Sequence, residues 1–265
     1  MKIDWEKASD DFRRDGVVYL PQLLGPEDLA SARAAYDWTM ANPGPFGGNI
    51  SALADEGSTY YQDLCNPRSF PMYGSMLEKS PIPEAVAKLW NSDDVWLMYE
   101  QIFLKEGGAY GTPWHQDLAS ITASGDHLAG VWITFDPLPK KYCLGTVRGS
   151  HRGPLYDRPA DNEVARPPPN VSAEEDKWDV VSWDITPGDV IIFHPGVLHG
   201  GGVTTGGMRR RTLTLRFFGS DAVYTPCRGA ITSFSSVPMI EGFHERMKDG
   251  DPFRDPIFPK VFPHP

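Results

Sequence analysis

The sequence predicts a mainly β protein with flanking helices, built as a two-sheet jelly roll. Two observations predict it. Short apolar runs follow one another with sharp turn signals between them and no helix alternating in the gaps. The 26 glycines and 25 prolines fall at the ends of those runs rather than in low-complexity tracts.

Taken in order, Asp4 to Arg14 places Trp5, Ala8 and Phe12 at helical spacing and stops at Gly16, a glycine suited to a left-handed cap. Val17 to Leu20 is a brief strand. Pro26, followed by Glu27 and Asp28, starts a helix running to about Met40 with Leu29, Ala32, Tyr36 and Met40 inward. From Asn42 to about Ser80 no period is clear, and Pro83 to Trp90 is a short helix. Val95 to Lys105 alternates as a strand, with Tyr99, Gln101 and Phe103 on one face. Further strands are expected at Leu128 to Phe135, Gly145 to Val147, Val180 to Ile185, Val190 to Phe193 and Thr212 to Phe218. His151 to Lys177 reads as a long loop, and a last helix, Pro238 to Met247, precedes a proline-studded tail expected along the surface. No repeat or linker divides the chain. One domain is expected over 1–265, with a helical part to about 93, a jelly-roll core over 94–220 and a C-terminal helix and tail over 221–265.

A net charge of -10 and a pI near 5.1 exclude the concentrated basic surface that nucleic acid or an anionic membrane would require. No run is long and apolar enough to span a bilayer, and no leader pattern opens the chain, so the expected compartment is the cytoplasm. Cys65, Cys143 and Cys227 are odd in number and widely spaced, which predicts reduced thiols rather than a disulfide framework. The expected partner is a small-molecule substrate, with neither nucleic acid nor membrane, and the expected state is a monomer or homodimer.

Chemistry concentrates in two stretches. In Gly111 to Ser120, His115 and Asp117 stand two apart, so an extended backbone sends both to one face while Gln116 points away. Downstream, the apolar run ending Phe193-His194-Pro195-Gly196-Val197-Leu198 leads to His199 and a glycine cluster. Two histidines and an aspartate form the facial set that holds non-haem Fe(II) and leaves the opposite positions open. The same residues also read as a hydrogen-bonded pair at a strand end with a core histidine elsewhere. Arg210, eleven positions after His199, favours the metal: a keto acid chelating the ion needs its far carboxylate held by a fork-shaped cation. A turn through Gly200-Gly201-Gly202 and Gly206-Gly207 is expected to fold the arginine strand back beside the histidine, with Arg209 and Arg211 facing outward.

In these residues the chain resembles the phytanoyl-CoA dioxygenase-like branch of the Fe(II)/2-oxoglutarate-dependent oxygenases. The resemblance covers Val95 to Gly219 well and the N-terminal helices loosely. It is carried by Thr112-Pro113-Trp114-His115-Gln116-Asp117, Val131 to Asp136, Val147-Arg148-Gly149-Ser150-His151 and the span from Phe193 through His199 to Arg210. It implies a cupin-like double-stranded β-helix, with His115, Asp117 and His199 as iron ligands and Arg210 on the far carboxylate of 2-oxoglutarate. It also implies that Gln101 and Trp132 touch that cosubstrate. Two departures stand out: Gly201 replaces the hydroxyl that many relatives carry two residues after the distal histidine, and Lys140 to Gly145 lacks their asparagine-glycine turn and acid.

The activity so implied is a dioxygenase using Fe(II), 2-oxoglutarate and O2 to hydroxylate, desaturate or cyclise an unactivated carbon, releasing succinate and CO2. Because Asp117 retains the carboxylate that halogenating relatives replace, oxygen transfer is expected rather than halogenation. A zinc hydrolase on the same three ligands is an alternative that leaves Arg210 unexplained. A non-catalytic binding module on the same barrel is another.

Overall fold

A computed structural model describes residues 3–156, 166–226 and 243–263. In chain order the elements begin α1 (Trp5–Asp15), β1 (Val17–Leu20), α2 (Pro26–Ala41), β2 (Gly48–Asn49), β3 (Thr59–Leu64), α3 (Phe70–Leu77), α4 (Ile82–Trp90) and β4 (Val95–Glu106). They continue with β5 (Thr112–His115), β6 (Ala123–Ser124), β7 (Leu128–Thr134), β8 (Leu144–Val147), β9 (Val180–Val181), β10 (Val190–Phe193) and β11 (His199–Gly201). The last are β12 (Arg209–Phe218), β13 (Val223–Tyr224), α5 (Phe243–Arg246) and β14 (Lys260–Phe262).

The helices begin and end where local chemistry dictates. Asp4 caps α1 by accepting from the Lys7 amide at 3.1 Å, and Gly16 closes it in the left-handed region. Pro26 opens α2, and the Asp28 carboxylate accepts from the Gly25 amide at 2.9 Å. Its buried side is Ala32, Ala35, Tyr36 and Thr39, while Leu29 and Met40 are only partly covered.

Two main sheets form the barrel, and β6 and β13 pair separately as a two-stranded antiparallel ribbon. A large antiparallel sheet runs β1-β10-β7-β12-β4-β3-β2, with β14 added beside β4, and a smaller one runs β5-β11-β8-β9. On β12, alternation sends Leu213, Leu215 and Phe217 to the outer face, where they pack with Ile102, Val131 and Ile133 under the helices. Burying each such side chain contributes about 1.5–3 kcal/mol. The inner face of the same strands bears Arg210, Thr214 and Arg216 from β12, Gln101, Phe103 and Lys105 from β4, and Trp132 from β7. The outer layer is a hydrophobic core, whereas the interior sets buried charged and polar groups among Phe103, Trp132, Leu144 and Phe193.

Several expectations are corrected. The large sheet draws β1, β2 and β3 from before the expected 94–220 core and β14 from the tail. The stretch before Ser80 holds β3, buried by long-range pairing with β4, and α3, a helix of eight residues that buries Tyr73, Met76 and Leu77 in the main core. Val180 to Ile185 is not one strand: β9 stops at Val181, and Ile185 makes an isolated bridge to Leu138. The tail is not a surface strap, because Phe253, Phe258 and Val261 are buried. Of the expected helix Pro238 to Met247, the described part is the four-residue α5, and residues 238–242 lie outside the described residues. Cys65 and Cys143 are free and buried, while Cys227 lies outside the described residues.

Candidate metal centre

His115 ends β5 and His199 begins β11, and these strands pair antiparallel with the two histidines directly opposite each other. Their rings stand 4.2 Å apart between centroids. The backbone stays extended through Gln116, so Asp117 keeps the expected side of the chain although it already opens a short 3-10 turn. Gln116 points away, donating to the Gly196 carbonyl at 2.6 Å and accepting from the Tyr156 amide at 2.8 Å. These two bonds fix the crank that aims Asp117.

One donor atom from each of His115, Asp117 and His199 lies within 4.8 Å of the others. Asp117 Oδ1 is 3.4 Å from His115 Nε2 and 3.7 Å from His199 Nε2. Both Nδ1 atoms face carbonyls, that of Pro113 at 2.7 Å and that of Val197 at 2.8 Å. A carbonyl only accepts, so each Nδ1 bears the proton and each Nε2 turns its lone pair inward. Two imidazole lone pairs and a carboxylate oxygen then converge on one point, and a small cation satisfies all three at once. This donor set fits Fe(II).

The surroundings act differently on the three donors: burial lowers His115, but the hydrogen bond and charge of Asp117 outweigh it and raise the group above its usual value while no cation is bound. Burial pushes His199 down to about 4, helped by the neighbouring His115. Burial is the largest single influence on Asp117 and opposes its charge, but the Arg216 guanidinium and the two histidines together outweigh it and keep the carboxyl well below its usual range. Arg216 reaches Asp117 Oδ2 with Nε at 3.2 Å and Nη2 at 2.7 Å, leaving Oδ1 for the histidines. Its remaining Nη1 is buried without a hydrogen-bond partner. Phe193 packs on the His199 ring at 4.7 Å and fixes its plane.

Behind the three donors lies a cavity of about 80 Å³ lined by Gln101, Phe103, Lys105, Thr112, Trp132, Leu144, Phe193, Arg210, Thr214 and Arg216 along with the triad. That is the scale of a small acid and well below the roughly 300–1,000 Å³ of an organic-ligand pocket. Arg210 sits within it, its guanidinium 5.4 Å from the centre of the Trp132 ring. Arg209 and Arg211 leave by the other face and pair with Glu106 at 2.9 Å and Asp136 at 3.0 Å. The arginine strand does not lie beside the histidine strand as expected. β11 belongs to the small sheet and β12 to the large one, so His199 and Arg210 meet across the barrel.

The glycine turn between them is shaped for this. Gly201 and Gly202 have φ of 79° and 71°, a region unfavourable for residues with a Cβ. A Cβ on Gly202 would stand 1.8 Å from Arg210 Nη1. Opposite Gly201 in the strand register is Thr112, whose hydroxyl is 2.7 Å from that of Tyr60, so hydroxyls are present at this end although not at position 201.

All six residues singled out from the sequence thus line one cavity. Arg216 and Lys105 were missed. The signal for Arg216 was present, since alternation from Arg210 puts it on the same inner face, where a buried cation requires a buried acid. For Lys105, the strand end at which it sits reads equally as a solvated edge.

Fold and interior together define a double-stranded β-helix enzyme of the non-haem iron, 2-oxoglutarate-dependent class. The chain belongs to the phytanoyl-CoA dioxygenase (PhyH) family, whose model matches residues 12–212. As a member it is an oxygenase that uses Fe(II) and 2-oxoglutarate on a small-molecule substrate, and neither the zinc hydrolase nor the non-catalytic alternative is favoured. No curated protein matches it by sequence. Among solved structures it is similar to the non-haem α-ketoglutarate-dependent epimerase SnoN from nogalamycin biosynthesis, with a TM-score of 0.74, 19% identity and coverage of 97% of this chain and 95% of that one. The carbocyclase SnoK from the same biosynthesis superposes with a TM-score of 0.72, 19% identity and coverage of 97% and 96%. EctD from S. alaskensis, solved with 2-oxoglutarate and 5-hydroxyectoine, gives 0.66, 17% and coverage of 93% and 84%. At these identities the likenesses show the fold. No helix among the described residues is long and apolar enough to cross a membrane.

Proposed function

We propose that His115, Asp117 and His199 bind Fe(II), that Arg210 holds the far carboxylate of 2-oxoglutarate with Gln101 and Trp132 beside it, and that the enzyme hydroxylates, desaturates or cyclises a small organic molecule. The observation that carries this is the convergence of two inward imidazole lone pairs and one carboxylate oxygen at the mouth of a cavity that contains Arg210. When bound, the iron with its keto acid supplies oxidising power from O2, with succinate and CO2 released.

The chain's own residues then have separable tasks. The carbonyls of Pro113 and Val197 keep both Nε2 atoms free as donors. Arg216 confines Asp117 to one inward oxygen. Phe103, Trp132, Leu144 and Phe193 give the cavity apolar walls that limit water. The small cavity suits the cosubstrate alone, so the organic substrate approaches from outside. His115 faces that approach, with 37% of its side chain exposed against 6% for His199 and 11% for Asp117.

We read the whole chain as one domain, because strands from both ends complete the large sheet, and as a cytoplasmic monomer or homodimer. The reaction is tested by succinate release from 2-oxoglutarate with Fe(II) and ascorbate across metabolite pools. Metal-dependent succinate formation that rises with one pool and disappears in Asp117→Ala is the expected outcome. Turnover restored by zinc without O2 would contradict it.

A further inference from the structure

Lys105 and Arg210 are directly paired across β4 and β12, and both are buried, at 2% and 5% exposure. Among the described residues neither is offset by a carboxylate: the charged neighbour that acts on Lys105 is Arg210, and the groups acting on Arg210 are Cys143 and Tyr60. Lys105 Nζ donates to neutral oxygens only, the Tyr110 carbonyl at 2.9 Å, the Gly202 carbonyl at 3.2 Å and the Thr112 hydroxyl at 3.3 Å. Arg210 Nη1 shares that Gly202 carbonyl at 2.6 Å. Lys105 Nζ also lies 4.0 Å from the centre of the Tyr60 ring.

Two like charges buried side by side with no anion are unfavourable unless a ligand brings one or one of them gives up its proton. Both side chains line the cavity, and the Tyr60 and Thr112 hydroxyls close the same end. Burial, with Arg210 adding to it, pushes Lys105 down to about 6, so the amine is neutral at pH 7.5 while the subsite is empty. The groups that face it from the packed elements are Arg210 on β12 and Tyr60 on β3, and neither supplies negative charge at that pH.

We propose that Lys105 is a second binding residue of this subsite, taking up a proton from solvent as the far carboxylate of 2-oxoglutarate arrives, so that two cations hold the carboxylate. This rests on the assignment of the cavity to 2-oxoglutarate. Cosubstrate binding is then linked to pH. Between pH 6 and the bound-state pKa of Lys105, each unit of increase weakens affinity by up to about tenfold. The keto acid is also selected for its second carboxylate, since a monoacid leaves the amine neutral.

The test is anaerobic calorimetry on the Fe(II)-loaded protein at pH 7.5, in buffers of differing ionisation enthalpy, with 2-oxoglutarate and with 2-oxobutyrate, which lacks the far carboxylate. The expected result is close to one more proton taken up with the diacid than with the monoacid. That difference should vanish in Lys105→Met, with 2-oxoglutarate affinity reduced about tenfold or more. Lys105→Arg, permanently charged, should bind without the extra proton, and it decides the matter if the methionine variant does not fold. Equal proton uptake for the two acids, or an unchanged difference in either variant, overturns the role of Lys105 while leaving the iron site standing. A wild-type protein that binds metal but not 2-oxoglutarate overturns the assignment of the cavity itself.

Discussion

Arg216 grips one oxygen of Asp117 with two nitrogens, at 3.2 and 2.7 Å, while the other oxygen of the same carboxylate faces His115 and His199. The pair is buried at both ends. Removing the cation by Arg216→Ala strands a carboxylate in the interior and is expected to cost roughly 3–5 kcal/mol of stability. Denaturant unfolding measures it. A variant as stable as the parent would show that water already reaches the pair.

Asp117→Ala removes one of three donors and relieves Arg216 of its partner. Fe(II) retained after anaerobic desalting should fall to background, and succinate production with it. Wild-type metal content in this variant would mean that the ion sits elsewhere.

Arg210→Ala leaves the donors untouched and deletes the fork expected to bind the far carboxylate. Hydrogen bonds to charged groups contribute about 1.5–3 kcal/mol, which corresponds to roughly 10- to 150-fold weaker 2-oxoglutarate binding. Iron content should stay constant, and anaerobic titration separates the two effects. Gly202→Ala should act in the same direction, because its Cβ would occupy the place of Arg210 Nη1.

Glu100 lies on the helix-facing side of β4, 1% exposed, where its carboxylate accepts from the Asn66 amide at 3.0 Å. Burial raises it to about 7. A group whose folded-state pKa is raised favours folding most at low pH, and that contribution is lost as pH climbs from about 4.5 through 7. Glu100→Gln should therefore gain stability relative to the parent across this window, by an amount on the order of 3 kcal/mol at its upper end. Paired unfolding curves at pH 5 and pH 8 check it. A constant difference between the two proteins would contradict the raised pKa.

The parts legible in the sequence were those set by local rules. His115 and Asp117 share a side because the backbone between them is extended, and α1 begins at Asp4 and ends at Gly16 because capping is local. Parts set by distant strands were not legible. β3 gains its burial from pairing with β4, and β14 is held by β4 from the far end of the chain. Spacing placed Arg210 near His199 but could not tell a neighbour in the same sheet from a partner across the barrel. Lys105 escaped notice because nothing local distinguishes a buried lysine at a strand end from a solvated one. Its environment is made by Arg210, Tyr60 and Thr112, which arrive from three other strands.

The most direct measurement is a crystal structure of the protein grown without oxygen with Fe(II) and 2-oxoglutarate, the metal located by its anomalous scattering. The account expects one iron bonded to His115 Nε2, Asp117 Oδ1 and His199 Nε2, chelated by a keto acid whose other end meets Arg210. An iron bound elsewhere, or a keto acid whose far carboxylate turns away from Arg210, would contradict it.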